Sequence, residues 1–261
     1  MIDIRLSDNL DLMAEMKDNT VDLIYCDILY GTGRKLKDYQ DLKPKREIIE
    51  DHYLPRIKEM HRILKDTGSI YLQMDTKISH WIRCILDDIF GYDRFLNEVI
   101  WCYTMPNNCR TKWNSKHDNI LVYTKTKDYI FNYEACLVDY SESSKERGKY
   151  GSNSMMGKAD SPLSKLGGKM QEDWIIVHTL KGNSKEYKKY QTQKPKALIA
   201  KFIKASSNEG DLVADFYAGS FTTAEVCKDL NRNFIGCDIS EKAVEIGYAR
   251  LGGKKQNSKH P

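Results

Sequence analysis

The sequence predicts an α/β protein built on a doubly wound, mostly parallel sheet with helices on both faces. Short apolar runs, several of which end at an acidic residue, alternate with longer segments of helical periodicity. This alternation is typical of a parallel sheet whose strands are joined by helical crossovers. It occurs in residues 1–133 and again in residues 191–251, so both parts are expected to contribute to the sheet.

The elements of the first part follow from their apolar spacing. A buried strand is predicted at 21–27, because an apolar run stops there at an acid and Gly31 and Gly33 lie just beyond. A helix is predicted at 47–64, where the apolar residues recur at helical spacing, namely Ile48, Ile49, Ile57, Met60, Ile63 and Leu64. The remaining predictions are a strand at 69–74, a helix at 78–90 and a strand at 120–123.

The second part repeats the pattern near the end of the chain. Helices are predicted at 195–206, 222–230 and 241–251, and strands at 212–215 and 234–238. Each of these two strands ends at an aspartate, before a loop and a helix.

The segment between the two parts has a different composition. Residues 134–190 are rich in Ser, Gly, Lys and Asn, and only 174–177 is apolar. A stretch this long without periodicity inside a compact domain indicates a functional insertion or a partly disordered segment. We therefore expect one domain formed by 1–133 and 191–251, a loop-rich insertion at 134–190 and a flexible tail at 252–261.

Composition limits the class of protein. With 41% hydrophobic and 30% charged residues, the 261-residue chain resembles an ordinary soluble enzyme, and the expected location is cytoplasmic. A net charge of +4 permits a polyanionic partner without requiring one.

The seven cysteines are scattered without a Cys-x-x-Cys pair, so no disulfide framework or metal site is expected. Cys26, Cys227 and Cys237 lie in apolar runs and are expected in the core.

The loop at 215–223 is a candidate cofactor site. Its small residues let the backbone approach a ligand, and the following helix offers free N–H groups. Asp238 ends the next strand, 23 positions after Asp215, where it can accept hydrogen bonds from ribose hydroxyls. The pattern predicts a nucleoside-containing cofactor. The alternative that Asp215 and Asp238 only cap the following helices stays open.

These residues resemble the motifs of the S-adenosylmethionine-dependent DNA amino-methyltransferases. Residues 215–223 are similar to the family motif D-P-F-x-G-S-G-T-T, residues 232–238 to R-x-x-I-G-x-D/E, and residues 192–195 spell the element T-Q-K-P. The resemblance implies S-adenosylmethionine as cofactor and S-adenosylhomocysteine as product. It implies these cofactor-binding residues: Asp8, Asp27, Thr192, Lys194, Asp215, Tyr217, Ala218, Gly219, Ser220, Thr222 and Asp238.

The resemblance extends to the N-terminal part of the chain. Residues 21–30 read V-D-L-I-Y-C-D-I-L-Y and are similar to the strand and the catalytic D-P-P-Y motif of the family. Asp8 lies in a segment that resembles the element G-D-x-L, whose aspartate contacts the adenine of the cofactor. The order of the motifs, catalytic first and cofactor last, is that of the β group.

The catalytic motif implies a mechanism based on positioning. An exocyclic amine on a base is a poor nucleophile, because its lone pair is delocalised into the ring. Asp27 would accept one N–H and the backbone carbonyl of Ile28 the other, which directs the nitrogen lone pair at the methyl group. Tyr30 would stack on the target base after the base has been flipped out of the duplex.

Two departures from the family motifs bear on activity. Ile28 and Leu29 replace both prolines, so the catalytic loop loses its fixed φ angles. Phe221 replaces a glycine of the cofactor motif, a position where small size or positive φ is useful. We expect the Phe221 ring to turn toward sheet or helix packing and to leave the loop backbone open.

Arg110, Lys112 and Lys116 are candidate DNA contacts, with Asn107, Asn108 and Trp113 among them. In the family the target-recognition region lies between the strand at 120–123 and T-Q-K-P. Trp113 fits a core position equally well.

We therefore predict a site-specific DNA methyltransferase that acts on N6 of adenine in double-stranded DNA. Asp27 favours adenine, because relatives that methylate N4 of cytosine usually carry serine at this position. The alternatives are an N4-cytosine enzyme and a catalytically impaired subunit that binds nucleic acid beside an active partner. A nicotinamide-dependent dehydrogenase would need a complete G-x-G-x-x-G, which the loop lacks. A homodimer and a partner restriction endonuclease are further expectations from the family.

Overall fold

A computed structural model describes residues 1–35, 40–104, 109–140 and 168–253. In these ranges the helices are α1 (Asn9–Glu15), α2 (Arg46–Ile63), α3 (Thr76–Phe90), α4 (Lys196–Ser206), α5 (Thr222–Asp229) and α6 (Glu241–Arg250). The strands are β1 (Ile2–Leu6), β2 (Val21–Asp27), β3 (Leu64–Met74), β4 (Phe95–Cys102), β5 (His117–Thr124), β6 (Leu137–Val138), β7 (Lys169–Met170), β8 (Trp174–Ile176), β9 (Leu212–Asp215) and β10 (Asn233–Asp238).

Eight of these strands form one sheet in the order β1-β10-β9-β2-β3-β5-β4-β8. Only β5 runs against its neighbours β3 and β4, and the other pairings are parallel. β6 and β7 form a separate antiparallel pair. The predicted α/β class with a mostly parallel sheet is confirmed.

Helices cover both faces of the sheet, as predicted. Apolar residues of α1, α2 and α3 pack in one core cluster, and those of α4, α5 and α6 pack in another. Successive side chains of β2 point to opposite faces of the sheet and so contribute to both clusters. Ile24 and Cys26 belong to the first cluster, and Leu23 and Tyr25 belong to the second. A strand buried on both faces in this way reads as a continuous apolar run.

Most predicted elements lie within a few residues of the observed ones, with some extensions and omissions. The strands predicted at 69–74 and 120–123 extend to Leu64–Met74 and His117–Thr124. β1, α1 and β4 were not predicted. The apolar segment at 174–177 contributes β8, which pairs with β4 at the edge of the sheet.

The predicted recognition insertion lies partly outside the described residues, because 141–167 belong to the undescribed ranges, as does 254–261 of the predicted tail. The division into 1–133, 134–190, 191–251 and 252–261 stays a prediction.

Cys26, Cys227 and Cys237 are buried, which confirms their predicted place in the core. None of the described helices is both long and apolar enough to cross a membrane. The described residues contain no group of three or more His, Cys, Asp or Glu side chains that could hold a metal ion.

The amino end of β2 is tied to its neighbours by Asp22. This buried side chain accepts a hydrogen bond from the Leu212 backbone N–H at 2.9 Å and one from Lys65 Nζ at 2.7 Å. The contact to Leu212 joins the N-terminal part of the chain to β9.

We predict that Asp22→Asn lowers the free energy of unfolding by about 1–2 kcal/mol, because one charged acceptor of two hydrogen bonds becomes neutral. Urea denaturation with wild-type protein as reference measures the change. Unchanged stability would show that Asp22 does not hold β2 and β9 together.

Candidate active site

Four aspartates lie at the carboxyl ends of four adjacent parallel strands. Asp8 follows β1, Asp238 ends β10, Asp215 ends β9 and Asp27 ends β2. All four line one cleft. A crevice outside the carboxyl ends of parallel strands is where open α/β sheets bind their ligands.

Two polar groups flank the Asp27 carboxylate. Its Oδ1 lies 2.9 Å from the Tyr30 hydroxyl, and its Oδ2 forms an ion pair with Lys194 Nζ. The same Nζ also donates to the Thr192 carbonyl at 3.2 Å and lies 5.1 Å from the centre of the Tyr30 ring. Burial raises the pKa of Asp27, and the Lys194 ammonium opposes this shift.

The loop after Asp27 keeps its shape without prolines. The Ile28 backbone N–H donates to the Gln73 carbonyl at 3.0 Å, a bond that a proline could not make. The Ile28 side chain is 2% exposed, and the Leu29 carbonyl accepts from the Tyr53 hydroxyl at 3.1 Å. Packing and hydrogen bonds therefore replace the constraint on φ that the family prolines supply.

Asp215 organises the cofactor loop from within. Its Oδ1 accepts the Tyr217 backbone N–H at 3.1 Å, and its Oδ2 accepts the Thr223 hydroxyl at 2.6 Å. Burial raises the pKa of Asp215 to about 7, although both hydrogen bonds oppose the shift. Asp215 thus acts on the loop and on the first turn of α5.

Asp238 connects the loop to β10. Its Oδ2 accepts the Gly219 backbone N–H at 2.9 Å, and its Oδ1 accepts the Ser240 N–H at 2.8 Å. Asp238 also lines the cleft. Gly219 has φ +51°, and a Cβ there would lie 3.2 Å from Cε1 of Tyr190. Only a residue without a side chain fits this turn comfortably.

The Phe221 ring packs in the core, as predicted. Phe221 is fully buried, has φ 53° and lies against Phe234 with ring centres 6.4 Å apart. A Cβ placed on Gly247 of α6 would lie 2.7 Å from Cδ2 of Phe221, so this glycine makes room for the ring. Phe221 does not belong to the described walls of the cleft.

The structure brings the predicted catalytic and cofactor residues together. Every one of them lines the cleft, and the set comprises Asp8, Asp27, Ile28, Tyr30, Thr192, Lys194, Asp215, Tyr217, Ala218, Gly219, Ser220, Thr222 and Asp238. Their individual roles stay predictions.

Sequence reasoning missed the contribution of α2 to the cleft. Arg56 donates to Asn9 Oδ1 at 2.7 Å and pairs with the Asp8 carboxylate at 3.2 Å. His52 Nε2 lies 3.0 Å from the Tyr217 hydroxyl. Burial, assisted by the Arg56 charge, lowers the pKa of His52 to about 4, so this ring is neutral at pH 7. No motif marks these side chains, because their helical spacing says only that they share a face.

A buried polar network was also missed. Asp118 Oδ2 lies 2.5 Å from the Tyr30 hydroxyl and accepts from Gln73 Nε2 at 2.9 Å, and Asp118 Oδ1 accepts from the Tyr103 hydroxyl at 3.0 Å. Gln73 Oε1 accepts in turn from Tyr25 at 2.7 Å. The sequence signal for this network is the presence of polar residues, such as Gln73, in or next to apolar strands.

The candidate DNA contacts lie apart from the cleft walls, in the connection between β4 and β5. Arg110 and Lys112 are exposed, and Lys116 is half-buried. Trp113 is 95% exposed, so the alternative of a core position is wrong. Asn107 and Asn108 lie outside the described residues. The loop follows the carboxyl end of β4, and β4 runs in the same direction as β2 and β3, so the loop lies at the same end of the strands as the cleft.

The cleft therefore combines a loop suited to a nucleoside cofactor with a strand-end carboxylate that can accept a proton or an N–H group. This combination defines a cofactor-dependent group-transfer enzyme of the α/β class. The DNA methylase family of N6 and N4 methyltransferases matches residues 21–249, and the chain belongs to this family.

Two relatives and one solved structure illustrate the similarity. Type II methyltransferase M.HpaI of Haemophilus parainfluenzae is 32% identical over 94% of this chain and 72% of its own length. DNA adenine methyltransferase YhdJ of Escherichia coli K12 is 31% identical over 92% of this chain and 80% of its own length. The M1.HpyAVI–SAM complex has the same fold, with TM-score 0.63 and 21% identity over 96% of this chain and 99% of its own. The predicted family and the prediction of a DNA methyltransferase are confirmed.

We predict that Phe221→Gly lowers the free energy of unfolding by about 1–3 kcal/mol, because the loss of a buried ring outweighs the relief of backbone strain. Cofactor affinity should stay within a few-fold of wild type. Urea denaturation and titration calorimetry measure the two effects. Gly247→Ala, which crowds the same ring from α6, is the matched control and should lower stability only. A sharp gain in affinity on Phe221→Gly would mean that the ring obstructs the cleft.

Proposed function

We propose that this chain transfers a methyl group from S-adenosylmethionine to N6 of adenine in double-stranded DNA at a specific site. The observation that carries the proposal is the Asp27 carboxylate, which lies in the cleft beside Tyr30, two strands from Asp238. A hydrogen-bond acceptor two strands from the end of the cofactor site is suited to hold an amine so that it faces a methyl donor. YhdJ, which is named a DNA adenine methyltransferase, shares this family.

The reaction depends on acceptors at Asp27 and Ile28. Asp27 accepts one N–H of the adenine amine at Oδ1, because Lys194 pairs with Oδ2. The Ile28 carbonyl accepts the second N–H, and among the described residues no donor is seen on this oxygen. Both bonds favour a pyramidal nitrogen with a directed lone pair, and they are realised mainly in the transition state.

Tyr30 offers a flat surface for the base. Burial raises the pKa of its hydroxyl, which keeps its proton at neutral pH. A base that stacks on this ring must first leave the helix, and stacking compensates part of the cost of unpairing.

The residues around the loop fit S-adenosylmethionine. This cofactor supplies a methyl group on a positively charged sulfur. Asp238 would accept hydrogen bonds from the ribose hydroxyls, and Gly219 would let the backbone approach the cofactor closely. Asp8, which caps α1 and pairs with Arg56, would contact the adenine of the cofactor, and Lys194 and Thr192, which also line the cleft, would help to hold the cofactor.

Arg110, Lys112 and Lys116 contact DNA phosphates or bases beside the cleft, and Trp113 extends from the same loop. Cations on an exposed loop neutralise phosphates and position the duplex without reading its sequence. The segment 134–190 serves as the target-recognition region of a single domain formed with 1–133 and 191–251. A homodimer, a partner restriction endonuclease and a cytoplasmic location belong to the same proposal.

N4-cytosine methylation and a non-catalytic subunit are the outcomes against which the proposal is tested. The protein is incubated with S-adenosylmethionine and plasmid DNA, the DNA is digested, and the nucleosides are identified by mass spectrometry. N6-methyldeoxyadenosine supports the proposal. N4-methyldeoxycytidine, or no product from protein that binds the cofactor, overturns it.

We predict that Asp27→Ala lowers methyl transfer by about 10²–10³-fold or more, because the amine loses an acceptor that acts in the transition state. Incorporation of labelled methyl groups into duplex DNA measures the rate. Asp22→Asn, at the opposite end of β2, is the matched control for general destabilisation and should keep its turnover. Near-normal turnover of Asp27→Ala would remove this residue from the mechanism.

We predict that Asp238→Ala weakens S-adenosylmethionine binding by about 1.5–3 kcal/mol, the range for hydrogen bonds to a charged group. Titration calorimetry measures the affinity. Ser240→Ala is the matched control, because Ser240 caps α6 by accepting the Ala243 N–H at 3.3 Å and leaves the Asp238 side chain in place. If both variants bind like wild type, Asp238 only connects β10 to the loop.

A further inference from the structure

Asp118 is a buried carboxylate that contacts Tyr30 of the predicted catalytic motif. It lies at the start of β5, is 2% exposed, and its neighbour Gln73 is fully buried. An unpaired charge in such a place costs several kcal/mol, so hydrogen bonds must compensate for its lost hydration. Tyr103, Gln73 and Tyr30 supply these bonds at 3.0, 2.9 and 2.5 Å.

The Tyr30 hydroxyl lies between two carboxylates but has one proton. Its oxygen is 2.5 Å from Asp118 Oδ2 and 2.9 Å from Asp27 Oδ1. The shorter distance is characteristic of a hydroxyl that donates to a carboxylate. The proton therefore points at Asp118, and a lone pair of the phenol oxygen faces Asp27.

We propose that Asp118 is a positioning residue for methyl transfer, which acts through Tyr30 to orient the aromatic ring and to prepare Asp27 as a proton acceptor. This inference rests on the proposed function. Tyr103, which follows β4, and Gln73 of β3 fix the Asp118 carboxylate, so the direction of the Tyr30 hydroxyl is set by groups that do not line the cleft.

Methyl transfer releases one proton from the amine, and the arrangement of Asp27, Tyr30 and Asp118 gives this proton a place to go. Methyl transfer forms a nitrogen–carbon bond with the amine lone pair, breaks the carbon–sulfur bond and leaves that electron pair on sulfur. The nitrogen then has one proton too many, and Asp27 takes it. A protonated Asp27 can donate to the Tyr30 oxygen, because the Tyr30 proton is already directed at Asp118. The Asp118 charge also raises the pKa of Asp27, which favours the proton transfer.

The test compares Asp118→Asn, Tyr30→Phe and the double variant with wild type. The Asp118→Asn change leaves one acceptor oxygen for three donors, while Tyr30→Phe keeps the ring and removes the hydroxyl. Two controls match these changes elsewhere in the sheet. Asp22→Asn alters a buried carboxylate at the amino end of β2, and Tyr71→Phe removes a buried hydroxyl that bonds to Ser206 at 2.7 Å.

Each single variant should lower kcat by about 10- to 100-fold, a part of what positioned proton transfer contributes. The affinity for S-adenosylmethionine should stay within a few-fold. The double variant should be no more than about three-fold slower than the slower single variant, because both changes interrupt one path. The acid limb of kcat against pH should move to lower pH in Asp118→Asn, since the removed charge had raised the pKa of Asp27. The controls should lose stability and keep both kcat and the pH profile.

Three results would overturn the inference while wild-type protein methylates adenine. These are an unshifted acid limb in Asp118→Asn, multiplicative losses in the double variant, or equal losses of kcat in the controls. Circular dichroism and cofactor binding establish that each variant is folded. If wild-type protein that binds the cofactor produces no N6-methyldeoxyadenosine, the proposed function fails first, so the two failures are distinguishable.

Discussion

The site depends on an ion pair between Asp27 and Lys194, which joins the N-terminal and C-terminal parts of the chain. Asp27 ends β2 in the N-terminal part, and Lys194 precedes α4 in the C-terminal part, 167 positions later. A partly buried carboxylate needs such a partner, because burial disfavours its charged form. The partner can reach it because β2 and β9 are neighbours, with Leu23 opposite Val213 and Ile24 opposite Ala214. The parallel sheet thus places the predicted catalytic and cofactor residues together at the carboxyl ends of adjacent strands.

The fold tolerates unusual residues in both motifs by different means. At the catalytic loop, Ile28 uses the backbone N–H that a proline would lack and donates it to Gln73. At the cofactor loop, Phe221 occupies a left-handed conformation, which is costly for a bulky residue, and a fully buried ring compensates. Gly247 has no side chain at the place where the ring lies. The departures from the family pattern are therefore accommodated in the core, and the cleft stays open.

The sequence was sufficient for features that depend on local pattern. The apolar runs and helical spacings gave the class of fold and most elements, and strand-end acids such as Asp215 and Asp238 gave the cleft. β1 and β4 were missed because charged residues interrupt their apolar character. Arg56 and Asp118 were missed because their roles arise from contacts across 48 and 88 positions, with Asp8 and Tyr30 respectively, which no local periodicity encodes.

The contacts that the sequence did not predict orient residues of the motifs. A motif supplies the groups that meet the substrate, but a charged group at the end of a strand has no fixed orientation of its own. Arg56 restrains Asp8, and Asp118 restrains Tyr30, from helices and strands that carry no recognisable signature. A supporting side chain needs only a suitable charge and a suitable length, so many different residues can take this role. Residues outside the motifs therefore determine the geometry of the motif residues. For the same reason, a chain in which both prolines of the catalytic motif are replaced can keep the geometry of its site.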